Sequence, residues 1–223
     1  MLNNIDTNNT TTIASGDYSN SLNMFVYEEV PEDSLCLDVG CWTGNLGRLL
    51  KEKKRCVVDG IEVNRQVSEQ ALRKGYRNVF IVNLNNDSFE LDNTDGRYDV
   101  IIFADVLEHL VNPVGVLTNL MRYLKPDGIV IVSLPNVAFI LNRLLLLMGK
   151  WDYKDFGTLD KTHLKFYTVK SGAHMVESAG LELVKVLPYN QFGILTRLNY
   201  LNKLLPTLFS YQFLVVAKNE NGK

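Results

Sequence analysis

The sequence predicts an α/β domain, with a mostly parallel β-sheet covered by helices on both faces. Two observations carry this. From about residue 35 onward, short and nearly continuous apolar runs alternate with amphipathic helical patterns. Strands that are apolar on both sides belong to parallel sheets buried on both faces. The first apolar run also ends in a carboxylate and a glycine-rich turn, Leu35-Cys-Leu-Asp-Val-Gly-Cys-Trp-Thr-Gly-Asn-Leu-Gly47, and a helical pattern follows at once. A turn of this kind brings bare backbone close to a ligand at a helix N-terminus.

The elements follow in order. Strands are expected at 35–39, 56–62, 79–82, 98–104 and 128–134, with helices at 45–53, 64–74 and 113–123 between them. Pro113 suits a first helical turn. Lys125-Pro-Asp-Gly128 reads as the turn that leads into the fifth strand. A helix over 169–179 stops at Gly180, and strands at 181–187 and 211–217 close the chain. No strong crossover helix joins those two strands, so an antiparallel pair is expected.

Residues 1–20, rich in Asn, Thr and Ser, read as a flexible arm without a signal peptide, and 21–223 as a single domain. Segments 135–168 and 190–209 are insertions of the kind that cover a ligand crevice. The apolar run Leu144-Leu-Leu-Leu-Met148 is far shorter than a membrane span. A buried helix is the simpler expectation for it, and an apolar lid the alternative.

A hydrophobic content of 46% supports a full core, and a formal net charge of −2 argues against nucleic acid as a partner. The three cysteines, Cys36, Cys41 and Cys56, form neither a disulfide framework nor a CxxC pair. Cys36 and Cys56 lie in apolar runs and are expected to be buried. This usage fits a reducing cytoplasm.

The glycine turn is not the dinucleotide fingerprint, because Trp42 stands where G-x-G-x-x-G needs glycine. It is not a P-loop either, since no Lys-Ser/Thr follows it. Asp38, just before the glycines, would repel a pyrophosphate. It suits a cofactor with a positive amino group and no phosphate, a description that S-adenosylmethionine meets. Val57-Val-Asp-Gly-Ile-Glu62 ends in an acid placed to accept two ribose hydroxyls. Asp59 competes for that role, but Glu62 stands at the strand end, where the crevice lies.

Four stretches, taken in this order and spacing, resemble class I S-adenosylmethionine-dependent methyltransferases. They are Leu37-Asp-Val-Gly-Cys-Trp-Thr-Gly44, Gly60-Ile-Glu62, Tyr98-Asp-Val-Ile-Ile-Phe-Ala-Asp-Val-Leu-Glu-His-Leu110 and Leu124-Lys-Pro-Asp-Gly-Ile-Val-Ile-Val-Ser-Leu-Pro-Asn136. The branch most similar is that of the ubiquinone-biosynthesis O-methyltransferases. The resemblance implies a Rossmann-like seven-stranded sheet, S-adenosyl-L-methionine as cofactor and methyl transfer as the activity.

It also implies roles. Asp38 would contact the methionine amino end. Gly40 and Gly44 would let the backbone approach, with Cys41 and Trp42 in the same loop. Glu62 would hold the ribose, with Val63 beside it. Asn83 and Leu84 would flank the adenine, and Ala104, Asp105 and Leu107 would line the methionine side. Trp42 departs from a position that is often glycine in the family, and its ring would pack on the cofactor or narrow the pocket.

If Asp105-Val-Leu-Glu108-His109 is helical, its acids and imidazole share one face and could hold a divalent ion. The ubiquinone-pathway relatives carry a comparable set, proposed there as a magnesium site. A hydrogen-bonded loop near the cofactor is the simpler expectation here, with no metal. The segment Trp151-Asp-Tyr-Lys-Asp-Phe-Gly-Thr-Leu-Asp-Lys-Thr-His-Leu-Lys-Phe-Tyr-Thr168 is dense in aromatics. Its Asp-x-x-His-Leu-x-Phe-Tyr-Thr end resembles methyltransferases encoded with glycan-synthesis genes.

Methyl transfer to oxygen needs a base, and His163 and His109 are the candidates. The plain alternative for His163 is a ring fixed by Asp160 or by backbone. The expected acceptor is a hydroxyl of a sugar, glycolipid precursor or other small metabolite. The lack of an Asn/Asp-Pro-Pro-Tyr motif after the fourth strand argues against nitrogen acceptors. The rival reading is a non-catalytic protein that keeps the fold and binds the cofactor or a partner.

Overall fold

The computed structural model describes residues 23–86, 89–91, 98–190 and 204–219. The expected arm at 1–20 and most of the insertion at 190–209 lie outside the described residues. The chain runs α1 (Met24–Glu29), β1 (Leu35–Val39), α2 (Asn45–Lys54), β2 (Val57–Glu62), α3 (Arg65–Arg73), β3 (Val79–Ile81) and β4 (Tyr98–Ala104). A single 3-10 turn at Leu107–His109 follows, then α4 (Pro113–Met121), β5 (Leu124–Pro135), α5 (Ile140–Leu147) and α6 (Val169–Glu177). The chain closes with β6 (Leu181–Tyr189), α7 (Pro206–Phe209) and β7 (Gln212–Asn219).

The seven strands form one sheet in the order β3-β2-β1-β4-β5-β7-β6. The first five are parallel to one another, and β7 pairs antiparallel with both β5 and β6. Alternation along the strands explains the continuous apolar runs. Leu37, Ile101, Phe103 and Val132 point into one core with Leu117 and Leu120 of α4 and Val176 of α6. Cys36, Val100, Ile102 and Ile131 point into a second core with Val26 of α1, Leu50 of α2 and Ala71 of α3. The central strands β1, β4 and β5 are therefore buried on both sides over most of their length, while the edge strands β3 and β6 are partly exposed, and Cys36 and Cys56 are buried as expected.

Local signals set the helix starts. Asn64 caps α3 by accepting from the Gln66 and Val67 amides. Asn112 caps α4 ahead of Pro113, and Thr168 and Ser171 form a capping box on α6. Two expectations change. Lys125-Pro-Asp-Gly128 is not a separate turn but lies within β5, where the register against β4 slips between the Tyr98 and Val100 pairs. The run at 144–148 is not a buried helix: in α5 it is Asn142 that turns inward at 7% exposure, while Leu144, Leu147 and Met148 face out.

Candidate active site

The loops after β1, β2, β3 and β4 all leave the sheet at the carboxyl ends of parallel strands, the edge where such sheets bind ligands. The first loop climbs through left-handed residues: Gly40, Trp42 and Gly44 have φ of 70°, 47° and 77°. Gly40 and Cys41 donate their amides to the Ile61 carbonyl, which fastens this loop to β2. Glu62 fastens it again. Its Oε2 accepts from the Trp42 amide at 3.1 Å and its Oε1 from the Asn64 amide at 2.9 Å. Asp59, the competitor for the ribose, is occupied inside the fold, where it accepts from Arg77, Asn78 and the Tyr98 hydroxyl.

Asp38 stands beneath the loop, at 2% exposure. Burial pushes its carboxyl up to about 7, Glu62 adds to that, and the hydrogen bond from Tyr76 opposes it. Tyr76 is the residue that motif reading missed. Its hydroxyl donates to Asp38 Oδ2 at 2.5 Å and accepts from the Gly47 amide at 3.0 Å. The ring needs the glycines. A Cβ on Gly44 would stand 2.8 Å from the ring, and one on Gly47 2.2 Å from it. The glycines after Gly40 thus make a socket for Tyr76 at the start of α2.

The remaining expected residues are spread around this edge. Trp42 is 37% and Val63 60% exposed. Cys41 is buried against Gly60. Asn83 is exposed, with its amide oxygen accepting from the Asn85 amide at 3.0 Å, and Leu84 turns into the core. Ala104 ends β4 and Asp105 follows it. Asp105 has φ of 54°, and its carboxylate accepts from Gln212 at 3.1 Å. Leu107 is fully buried in the core, so it supports the edge from behind and offers no surface to a ligand.

The fourth-strand motif is not one helical face, because Asp105 is left-handed and only Leu107–His109 turn, as a 3-10 segment. The donors that converge are Glu108, His109 and His163, with candidate ligand atoms within 4.8 Å of one another. His163 replaces Asp105 in the set that the spacing suggested. The 135–168 segment delivers it: the Glu108 carbonyl accepts from the Leu164 and Lys165 amides at 2.8 and 3.0 Å.

Glu108 and His163 are both buried, and among the described residues Glu108 Oε2 and His163 Nδ1 have no hydrogen-bond partner. Burial pushes the Glu108 carboxyl well up, with Asp105 and Asp160 adding to it. Burial and the neighbouring His109 hold the His163 imidazole down at about 4, so it is neutral at pH 7. The rings continue outward as a row: His109 lies edge-on to His163 at 4.8 Å, His163 to Phe166 at 6.2 Å, and Phe166 to Trp151 at 5.7 Å. Thr162 orients His109. Its carbonyl and its hydroxyl both lie 3.2 Å from His109 Nδ1, and the hydroxyl proton is given to Asp160 at 2.7 Å. Both neighbours of Nδ1 are therefore acceptors, so in the neutral ring the proton sits on Nδ1 and the lone pair on Nε2.

The donor set fits S-adenosylmethionine. A cationic cofactor without phosphate relieves the repulsion between Asp38 and Glu62 that a pyrophosphate would worsen. Each Glu62 oxygen holds one backbone N–H and keeps a second acceptor direction for a ribose hydroxyl.

Comparison with known proteins agrees with this fit. The model of the family described as methyltransferase domain matches residues 19–186. A demethylmenaquinone methyltransferase of Bacillus cereus is 29% identical over 189 residues, which covers 74% of this chain and 77% of that protein. A ubiquinone biosynthesis O-methyltransferase of Rickettsia bellii is 33% identical over 102 residues, or 45% of this chain and 41% of that protein. An S-adenosylmethionine-dependent methyltransferase from Mesorhizobium loti shares the fold with a TM-score of 0.62 at 15% identity, covering 88% of this chain and 96% of that one. The chain belongs to the methyltransferase domain family and is an S-adenosylmethionine-dependent methyltransferase.

Proposed function

We propose that the chain methylates a hydroxyl oxygen on a ring-bearing small molecule and that His109 takes the hydroxyl proton. The observation that carries this is the Thr162 contact with His109 Nδ1, which selects the neutral tautomer whose Nε2 can accept a proton. His163 is the weaker candidate. Its imidazole, held at about 4, has little basicity, and burial beneath His109 suits it to holding that ring in place.

S-adenosylmethionine, when bound, supplies a methyl group made electrophilic by its sulfonium. The chain's part is alignment and proton transfer. Glu62 anchors the ribose, with Val63 beside it. The Gly40–Gly44 loop, with Cys41 and Trp42, covers the methionine portion above Asp38. Asn83 and Leu84 border the adenine, and Ala104 and Asp105 border the methyl-bearing side. Trp151 and Phe166 offer flat faces to the acceptor ring. His109 Nε2 would take the proton of the acceptor O–H as that oxygen accepts the methyl group the bound cofactor would supply, with the neutral thioether as leaving group.

Both named relatives point to quinone chemistry, one to demethylmenaquinone and the other to ubiquinone biosynthesis. The second of these names specifies transfer to oxygen, and on that ground a phenolic hydroxyl ranks ahead of a sugar hydroxyl as the acceptor. The test is methyl transfer to a panel of phenols, catechols and sugars, with His109→Ala and His163→Ala. His109→Ala is expected to lower turnover by about two to four orders of magnitude with cofactor affinity unchanged. Loss of less than about tenfold would remove His109 as the base.

A further inference from the structure

We infer that Asp105 is the counter-charge for the sulfonium, the residue whose carboxylate favours S-adenosylmethionine over the thioether it becomes. This rests on the place given to Asp105 in the proposed site, at the methyl-bearing side. The chain after β4 lies against the cofactor loop. A Cβ on Gly40 would stand 2.5 Å from Val106 Cγ2, so the residue next to Asp105 fills the space that the glycine leaves. Asp105 itself has φ of 54°, a conformation that a residue with a side chain keeps only where its surroundings impose it.

Distant parts of the chain impose it. Asp105 gives its amide to Ser133 Oγ at 3.0 Å and to the Ser133 carbonyl at 3.3 Å. Ser133 Oγ also accepts from Asn23 Nδ2 at 3.2 Å, so its own proton is left for the Asp105 carboxylate. Gln212 donates to the same carboxylate at 3.1 Å. Asn23 is held in turn by Tyr189, to whose hydroxyl it donates at 2.8 Å, and Phe25 stacks on that ring at 4.1 Å.

These donors are side-chain amides and a hydroxyl. They fix the carboxylate and leave its charge uncancelled. Among the described residues no lysine or arginine pairs with Asp105; of the ionisable rings, His109 is the one whose charge would favour it. Its own charge is felt around it, since it helps to push up Glu108, Tyr189 and Tyr211. Burial pushes Glu108 furthest, which leaves Asp105 as the anion of the pair. A partly buried anion with neutral partners is stabilised by a cation brought to it. The sulfonium is the charge that the cofactor carries at this end and loses on transfer. Attraction in a part-buried site is several times stronger than in water, enough to separate the two forms.

The experiment is calorimetric titration of the full chain with S-adenosylmethionine, S-adenosylhomocysteine and sinefungin, in which an ammonium-bearing carbon replaces the methylsulfonium. Asp105→Asn keeps the size, and asparagine tolerates the left-handed backbone, so the fold is retained, which circular dichroism checks. It should weaken the two cationic ligands about tenfold and S-adenosylhomocysteine less than about threefold. Gln212→Leu and Asn23→Ala, which loosen the carboxylate without removing it, should each shift the same ratio about threefold in the same direction. Equal loss for all three ligands, or no loss, overturns the proposal, because a merely structural role moves them together. Glu62→Ala separates this from the site itself, since it should weaken all three alike. If it does, and Asp105→Asn leaves the ratio unchanged, the site stands and the counter-charge falls. If Glu62→Ala weakens none of them, the site falls and this proposal with it.

Discussion

The Tyr76 hydroxyl donates to Asp38 Oδ2 at 2.5 Å, joining the end of β1 to the chain between α3 and β3. The same oxygen accepts from the Gly47 amide in the first turn of α2. Tyr76 is buried at 4% exposure, so its ring contributes packing as well as two hydrogen bonds. Two glycines of the motif therefore serve Tyr76 directly and the ligand indirectly, because they fix the height of the loop that meets it.

Gly47→Ala should accordingly destabilise the fold by about 1–3 kcal/mol, as overpacking against a rigid ring does. Its Cβ would stand 2.2 Å from Tyr76 Cζ. Tyr76→Ala also costs stability, but removes the clash. The double variant is expected to be more stable than the sum of the single losses predicts. Denaturant midpoints of the four proteins measure this, and strict additivity would show that the ring and Gly47 do not share a socket.

Asp38 makes stability depend on pH. Its folded value of about 7 lies above the ordinary carboxylate value of roughly 4 that it regains on unfolding. Between these values the folded state holds a proton that the unfolded state has released. Stability from this group is therefore full below about pH 4, falls as pH rises, and levels off above about 7. The span is of the order of a few kcal/mol. Asp38→Asn should remove this slope, so the variant's stability relative to wild type should climb between pH 4 and 7 and then plateau. A pH-independent difference in unfolding free energy would contradict the assignment.

Glu62→Ala removes the acceptor for two loop amides as well as the proposed ribose contact. We expect S-adenosylhomocysteine binding to weaken by about 1–3 kcal/mol. Asp59→Ala should instead lower stability through Arg77 and Tyr98 and leave affinity near wild type in protein that remains folded. Calorimetric titration of both variants separates the two acids, and equal loss of affinity would undo the choice of Glu62.

The sheet and its helices were legible because the central strands are apolar runs buried on both faces and α3, α4 and α6 each start at a side-chain cap. The choice of Glu62 over Asp59 rests on its place at the strand end, and Asp59 is occupied by Arg77, Asn78 and Tyr98. Tyr76 was not legible, since Asp38 lies 38 residues away and only the crossover between β1 and β3 brings them together. Nor was the pairing of His109 with Thr162 and His163, which depends on a return of 53 residues to the end of β4. The outward leucines of α5 were misread because an unbroken apolar run has no polar face to show its orientation. Asn142, two residues upstream of that run, in fact supplies the buried side.

Trp42 offers a direct view of the site. Its backbone sits at φ of 47°, a conformation that costs a side-chain-bearing residue about 1 kcal/mol and persists only where the surroundings impose it. Here Glu62 imposes it by holding the Trp42 amide at 3.1 Å. The ring is 37% exposed at the carboxyl edge of the sheet, above the loop that we assign to the methionine portion. Ligand binding at that loop should change the polarity around the indole. The chain has two tryptophans, so Trp151→Phe isolates the signal of Trp42. Titrating that variant with S-adenosylhomocysteine should shift or quench its emission with the same midpoint as calorimetric binding. Glu62→Ala should move both midpoints together. Unchanged emission in a variant that binds by calorimetry would place the indole away from the cofactor and turn the loop's left-handed residues into a purely structural feature.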